Sequence, residues 1–115
     1  MKPLEIYVFE IVYEDCTDAR PCIIAAAPVA GIVKVIRFSS QWSKFNRMTH
    51  LPIKRESYPE DFDAMGLDRD SYIDDKFVEV RVEMAMHDPN DPVGEVTGSI
   101  KKAIENWMGP FTTRE

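Results

Sequence analysis

Three stretches of this 115-residue chain carry side chains suited to handling phosphate. The first is "DARPCIIAA", where Arg20 stands just before a proline and an aliphatic run. A guanidinium at a loop-to-strand junction is held by the sheet yet reaches solvent, where it can make paired hydrogen bonds to a phosphate or carboxylate. The competing reading is an ordinary exposed arginine before a strand-initiating proline. The second stretch is "RFSSQ", in which Arg37 precedes Ser39 and Ser40. Hydroxyls at a strand end can donate to phosphate oxygens beside exposed backbone N–H groups, although serine also serves turns. The third is "WSKFNRMTHLPIKR", with Trp42 and Phe45 among Lys44, Arg47, His50, Lys54 and Arg55. Aromatics stack unpaired bases while cations track the sugar–phosphate backbone. If Trp42 and Phe45 are buried, the same stretch is a core segment with a basic rim.

Other chemistries lack their motifs. There is no G-x-S-x-G and no histidine placed near a serine by a recognisable pattern, so a serine hydrolase is disfavoured. No CxxC pair exists and His50 and His87 are isolated, so neither a metal nor another cofactor is expected.

Charge is divided along the chain. The total is −6, yet residues 19–55 carry seven cations and no acid, whereas residues 56–95 carry thirteen acids and three cations. Net charge alone argues against a nucleic-acid partner, but phosphate binding needs only a local basic surface. Two alternatives stay open: the acidic half folds over the basic half and neutralises it, or the asymmetry serves only solubility. No run of about 18 apolar residues suggests a membrane span, and Glu5 and Glu10 interrupt the apolar start, against a signal peptide. A cytoplasmic protein with Cys16 and Cys22 as reduced thiols is the expectation.

These residues need elements to position them. "LEIYVFEIVYE" (4–14) is rich in β-branched and aromatic residues and predicts a strand. Residues 14–20 read as a loop, "PCIIAAAP" (21–28) as a second strand and "IVKVIRFSS" (32–40) as a third, joined to the second in a hairpin. Residues 41–58 have no clear period and suggest a loop or a short extra hairpin. "PEDFDAMG" (59–66) predicts one or two helical turns with Pro59 first and Gly66 last. "DSYIDD" (70–75) reads as a short strand, "FVEVRVEMA" (77–85) as an alternating half-buried strand and "HDPNDP" (87–92) as a turn. "GEV" (94–96) adds a last short strand. Ile100, Ala103, Ile104, Trp107 and Met108 then form one helical stripe over 97–108, with Thr97 or Ser99 as the cap. The sum is a mainly β domain spanning 1–115: a partly open barrel with a C-terminal amphipathic helix packed on it.

In order, these pieces resemble the PemK/MazF family of toxin endoribonucleases. The matching residues are Glu5–Val8, Arg20–Pro21, Ser39–Ser40, Gly66–Leu67 with Ser71–Tyr72, and Val93–Gly94 with Thr97. The resemblance implies an SH3-like antiparallel barrel, a homodimer, a cognate antitoxin that fills the RNA groove, and metal-independent cleavage of single-stranded RNA at a short sequence. Carried over, Arg20 would contact the scissile phosphate and Ser39 would assist it. Asp75 is the candidate base, with a solvated carboxylate salt-bridged to Lys76 or Lys54 as its alternative. Arg37, Ser40, Trp42, Lys44 and Arg47 would bind the substrate. One departure stands out: "SYIDDK" has no arginine where many members carry one. It favours a second reading, a barrel of the same fold that has lost cleavage and binds nucleic acid or a protein tail. A third is a small interaction domain whose charge asymmetry drives oligomer formation.

Overall fold

The computed structural model describes residues 1–12, 17–39, 50–67, 69–74, 77–88 and 90–108. Seven strands lie among them: β1 (Glu5–Val12), β2 (Thr17–Val29), β3 (Ile32–Ser39), β4 (His50–Ile53), β5 (Ser71–Asp74), β6 (Val78–Arg81) and β7 (Gly94–Glu95). The helix α1 (Gly98–Met108) follows. The sheet order is β4-β5-β3-β2-β1-β7, and β6 pairs with β3 on the same side as β5. All pairings are antiparallel.

Alternation along the central strands sorts side chains into two cores. Ile6, Ile23, Ile36, Phe38, Ile53 and Ile73 join Phe62, Met65, Ile100 and Ile104 on the face covered by α1. Tyr7, Phe9, Cys22, Ile24, Val33 and Val35 cluster on the other face. That second cluster is the inside of a barrel. Register shifts in β2 between Ile24 and Val29 coil the hairpin, as bulges do, and β6 continues the curl beyond β3. The chain then returns to β1: Val82 N–H donates to the Gly31 carbonyl at 2.9 Å, Met86 N–H to the Val8 carbonyl at 2.9 Å, and Ala85 bridges Phe9. His87 secures the return, accepting the Val8 N–H on Nε2 at 3.2 Å while its ring stacks on Tyr7.

Several expectations need correction. β2 begins at Thr17 rather than Pro21, inside the stretch read as a loop. Seven consecutive pairs with β1, from Ile6↔Ile23 to Val12↔Thr17, supply hydrogen bonds that outweigh its polar composition. Pro21 is tolerated there because the ladder to β3 starts only at Cys22. The strand expected over 77–85 stops at Arg81 and becomes a 3₁₀ turn over Val82–Met84, since the chain must leave β3 to reach β1. The helical turns expected at 59–66 reduce to a 3₁₀ turn over Asp63–Met65, anchored by buried Phe62 and Met65. The unassigned stretch 41–58 contains β4, whose partner is the distant β5 rather than a neighbouring hairpin strand.

The helix is capped from afar. Asp61 accepts the Ser99 N–H at 2.9 Å, the Ser99 hydroxyl at 2.6 Å and the Thr97 hydroxyl at 3.4 Å. Thr97 and Ser99 thus donate to the cap rather than forming it, and an acceptor on another segment satisfies the helix N-terminus. Nearby, a Cβ on Gly94 would lie 2.1 Å from the Met65 carbonyl, and one on Gly66 would lie 2.2 Å from the Val93 carbonyl. The two glycines of the "GL" and "VG" pieces let two backbones touch beneath the helix. Among the described residues, no helix is long and apolar enough to cross a membrane.

Two predictions follow from local geometry. The β2–β3 hairpin turns through Ala30 (φ 54°) and Gly31 (φ 79°), the two left-handed positions that favour Asn-Gly. Ala30→Asn should therefore raise unfolding stability by about 1 kcal/mol in a denaturant titration. Hydrogen bonds from Ser99 hold the Asp61 carboxyl below its usual pKa of 3.8. Its contribution is therefore present above that value and is lost as pH falls through the lowered folded-state pKa. Asp61→Ala should lower the melting temperature at pH 7 and show a smaller further drop below pH 4 than the wild type.

Candidate functional site

Strand register assembles the basic residues at one end of the barrel. Phe9 pairs with Arg20, Tyr7 with Cys22, and Cys22 with Arg37. Arg20 and Arg37 therefore share the face of Phe9 and Cys22, the barrel-interior face, at the end where β1 and β3 finish and β2 begins. Both arginines are half-buried, and the Nε of Arg20 is fully enclosed. Arg20 is consequently not a side chain at a loop junction, as its sequence context suggested. It is the fourth residue of β2, its stem seated beside Phe9. Diagonal neighbours across a strand pair lie about 7–8 Å apart, which is the Cα separation expected for Arg20 and Arg37.

Ser39 is the last residue of β3 and pairs with Tyr72 of β5. The β2–β3 ladder ends at Cys22↔Arg37, and Arg20 and Ser39 each lie two residues beyond it on their own strands. One transverse line joins Phe9 and Arg20, and another joins Ser39, Tyr72 and Pro52 of β4. Register places Arg20 and Arg37 on one face of the sheet, at the end of β3 that carries Ser39. Asp75, Ser40, Trp42, Lys44 and Arg47 lie outside the described residues. The strands bracketing Asp75, β5 and β6, both pair with β3, the strand that carries Arg37.

Cys22 sits between the two guanidiniums in register, yet it is no nucleophile. Burial pushes its thiol up to about 12, although the positive charges of Arg37 and Arg20 pull the other way. Desolvation wins because the thiolate would be enclosed with Tyr7, Phe9 and Ile24. The thiol is free and lies within 3.5 Å of the Arg20 carbonyl.

The acidic half of the chain meets part of the basic half. Lys34 faces Glu79 across the β3–β6 pair. Arg55 is ion-paired with Asp63, donates its backbone N–H to the Asp70 carboxylate at 2.9 Å, and lies over the Phe62 ring. The neutralisation weighed from sequence is seen at Arg55. Tyr72 was not selected from sequence as a site residue. The alternation in "SYID" was its signal: Ser71 and Ile73 are buried, so Tyr72 must take the other face. Among the described residues, no group of three or more His, Cys, Asp or Glu could hold a metal ion.

No family model matches the chain, and no curated protein matches it in sequence. Among solved structures it is similar to an endoribonuclease in complex with its cognate antitoxin from a mycobacterial species. The TM-score is 0.60 over 97% of this chain and 90% of that one, at 16% identity. At this identity the likeness is one of fold. The chain has the mainly β, MazF-like barrel with a C-terminal helix that the sequence resemblance implied.

Enclosure of Cys22 has a measurable consequence. With a pKa of about 12, a thiol is only about one part in ten thousand thiolate at pH 8. Peptide-resolved alkylation by iodoacetamide should modify Cys22 at least about 100-fold more slowly in the native protein than in urea.

Proposed function

We propose that the chain is an endoribonuclease toxin that cleaves single-stranded RNA at a short sequence without a metal, and that it acts as a single-domain cytoplasmic homodimer restrained by an antitoxin. The observation that carries this reading is the convergence of Arg20, Arg37 and the Ser39 position at one end of a barrel whose fold an antitoxin-bound endoribonuclease shares. In this chemistry a ribose 2′-hydroxyl attacks the adjacent phosphorus. The bond from phosphorus to the next 5′ oxygen breaks, leaving a 2′,3′-cyclic phosphate and a free 5′-hydroxyl. A base accepts the 2′ proton, an acid donates one to the departing oxygen, and preorganised donors stabilise the charge growing on the phosphoryl oxygens.

The proposed division of labour follows the register. Arg20, braced by the barrel at its stem, holds the scissile phosphate with its terminal nitrogens. Ser39, at the end of β3, donates a second hydrogen bond, and Ser40 extends that contact. Arg37 meets the neighbouring phosphate, while Lys44, Arg47 and Trp42 continue the track. Asp75 is the proposed base. Half-burial suits Arg20 to this role, because a partly desolvated guanidinium acts through a lower local dielectric than one in bulk water.

A second reading, a barrel of the same fold that binds nucleic acid or a protein tail without cutting, is favoured by the lack of arginine in "SYIDDK". One experiment separates the two. Purified protein is incubated in EDTA with single-stranded RNA of varied sequence. The wild type should yield fragments ending in cyclic phosphate, and Arg20→Ala should lower the rate by about 10²–10³-fold with an unchanged circular dichroism spectrum. Arg81→Ala, which removes only an exposed contact to Glu83 on β6 and its following turn, should leave the rate unchanged. Binding without cutting establishes the second reading. Neither binding nor cutting overturns both.

A further inference from the structure

Tyr72 belongs to the same surface as the two arginines, and nothing in the proposed chemistry uses it. Its neighbours Ser71 and Ile73 are buried, and Ile73, Phe38 and Ile53 all belong to the core under α1. Alternation therefore turns Tyr72 to the opposite face, the one occupied by Arg20 and Arg37. There it is half-buried, beside Pro52, which is exposed and paired with it across β4 and β5. Tyr72 pairs with Ser39 directly and is diagonal to Arg37, a Cα separation of about 7–8 Å. Two strand spacings, about 10 Å, separate it from Arg20. The result is an aromatic ring on a rigid strand next to two guanidiniums, with a proline ring as its flank.

Single-stranded nucleic acid is gripped by this combination: cations on phosphates and an aromatic face under a base. Resting on the RNA-cleavage reading above, we propose that Tyr72 is the platform on which one base adjoining the scissile phosphate stacks, with Pro52 forming its edge. Sequence preference at that nucleotide would then arise beside the phosphate site, on β5. A strand-borne platform suits this task because its backbone is pinned by pairing on both sides, to β3 and to β4. Little ordering cost remains to be met when RNA binds.

The test uses a 2′-O-methyl copy of the oligonucleotide that the wild type cuts or binds, together with a series in which one base at a time is removed. Affinity is read by fluorescence anisotropy. For the wild type, removal of one base next to the scissile position should weaken binding about 5- to 150-fold, the range for one stacked base. Tyr72→Ala should lose the same factor on the intact oligonucleotide and nothing further on the copy lacking that base. Tyr72→Phe should match the wild type, because the ring is kept. Tyr72→Leu, which preserves an apolar strand residue, should behave as Tyr72→Ala does and guards against misreading a folding defect. On cleavable RNA, Tyr72→Ala should raise KM while leaving kcat within about threefold, whereas Arg20→Ala should lower kcat.

If the wild type cuts RNA and Tyr72→Ala binds it equally well, the platform is refuted while the nuclease reading stands. If Tyr72→Phe is as weak as Tyr72→Ala, the hydroxyl acts rather than the ring, and stacking is refuted. If the wild type neither binds nor cuts, the nuclease reading falls and the platform falls with it.

Discussion

The arrangement depends on the register of β2 between β1 and β3. Each residue of that strand is committed to one of two cores: Cys22 and Ile24 to the barrel interior, Ile23 and Ala25 to the face under α1. A slip of one position would exchange the two sets and carry Arg20 into the apolar space beneath the helix. Burying an unsatisfied guanidinium there is far costlier than losing a few van der Waals contacts. Burial of several large side chains, each contributing about 1.5–3 kcal/mol, holds the register on both faces. The placement of Arg20 beside Phe9, and of Arg37 opposite Cys22, is a consequence of packing rather than of any local motif.

The two cores also explain why the surroundings of the arginines are divided so sharply. Toward the barrel interior lies a medium in which even two adjacent positive charges cannot draw the Cys22 thiol below its ordinary range. The stem of Arg20 is held at this interior, beside Phe9. The turns that pack against Phe62 bring Asp63 and Asp70 to Arg55, and β6 pairing sets Glu79 opposite Lys34.

The terminal helix shows how long-range contacts replace local ones. The apolar stripe through Ile100 and Ile104 finds its core as the periodicity requires. Its start is specified by Asp61, 38 residues earlier in the chain relative to Ser99. Between them, Gly66 and Gly94 permit the backbone approach that brings the Asp61 turn beneath the helix start. The glycine pieces that contributed to the family resemblance therefore have a packing role, and they need no catalytic explanation.

Much of the architecture was legible in sequence. The β-branched and aromatic run of β1, the apolar run of β3, the alternation in β6, the turn at Gly31 and the 3.6-residue stripe in α1 are local patterns, and local patterns encode which element forms and, where they alternate, which face is apolar. The barrel-plus-helix class followed from them. What local pattern does not encode is pairing. It placed Arg20 in a loop because residues 14–20 are polar, and it left β4 unassigned because four residues of "HLPI" carry no period. Both segments became strands because distant strands offered them hydrogen bonds. Sequence alone determined the types of group available: guanidiniums, hydroxyls, aromatics and a cation-rich stretch. Only the tertiary structure decided that Arg20, Arg37, the Ser39 position and Tyr72 share one surface, because cross-strand neighbours are chosen by how two cores pack and not by distance along the chain.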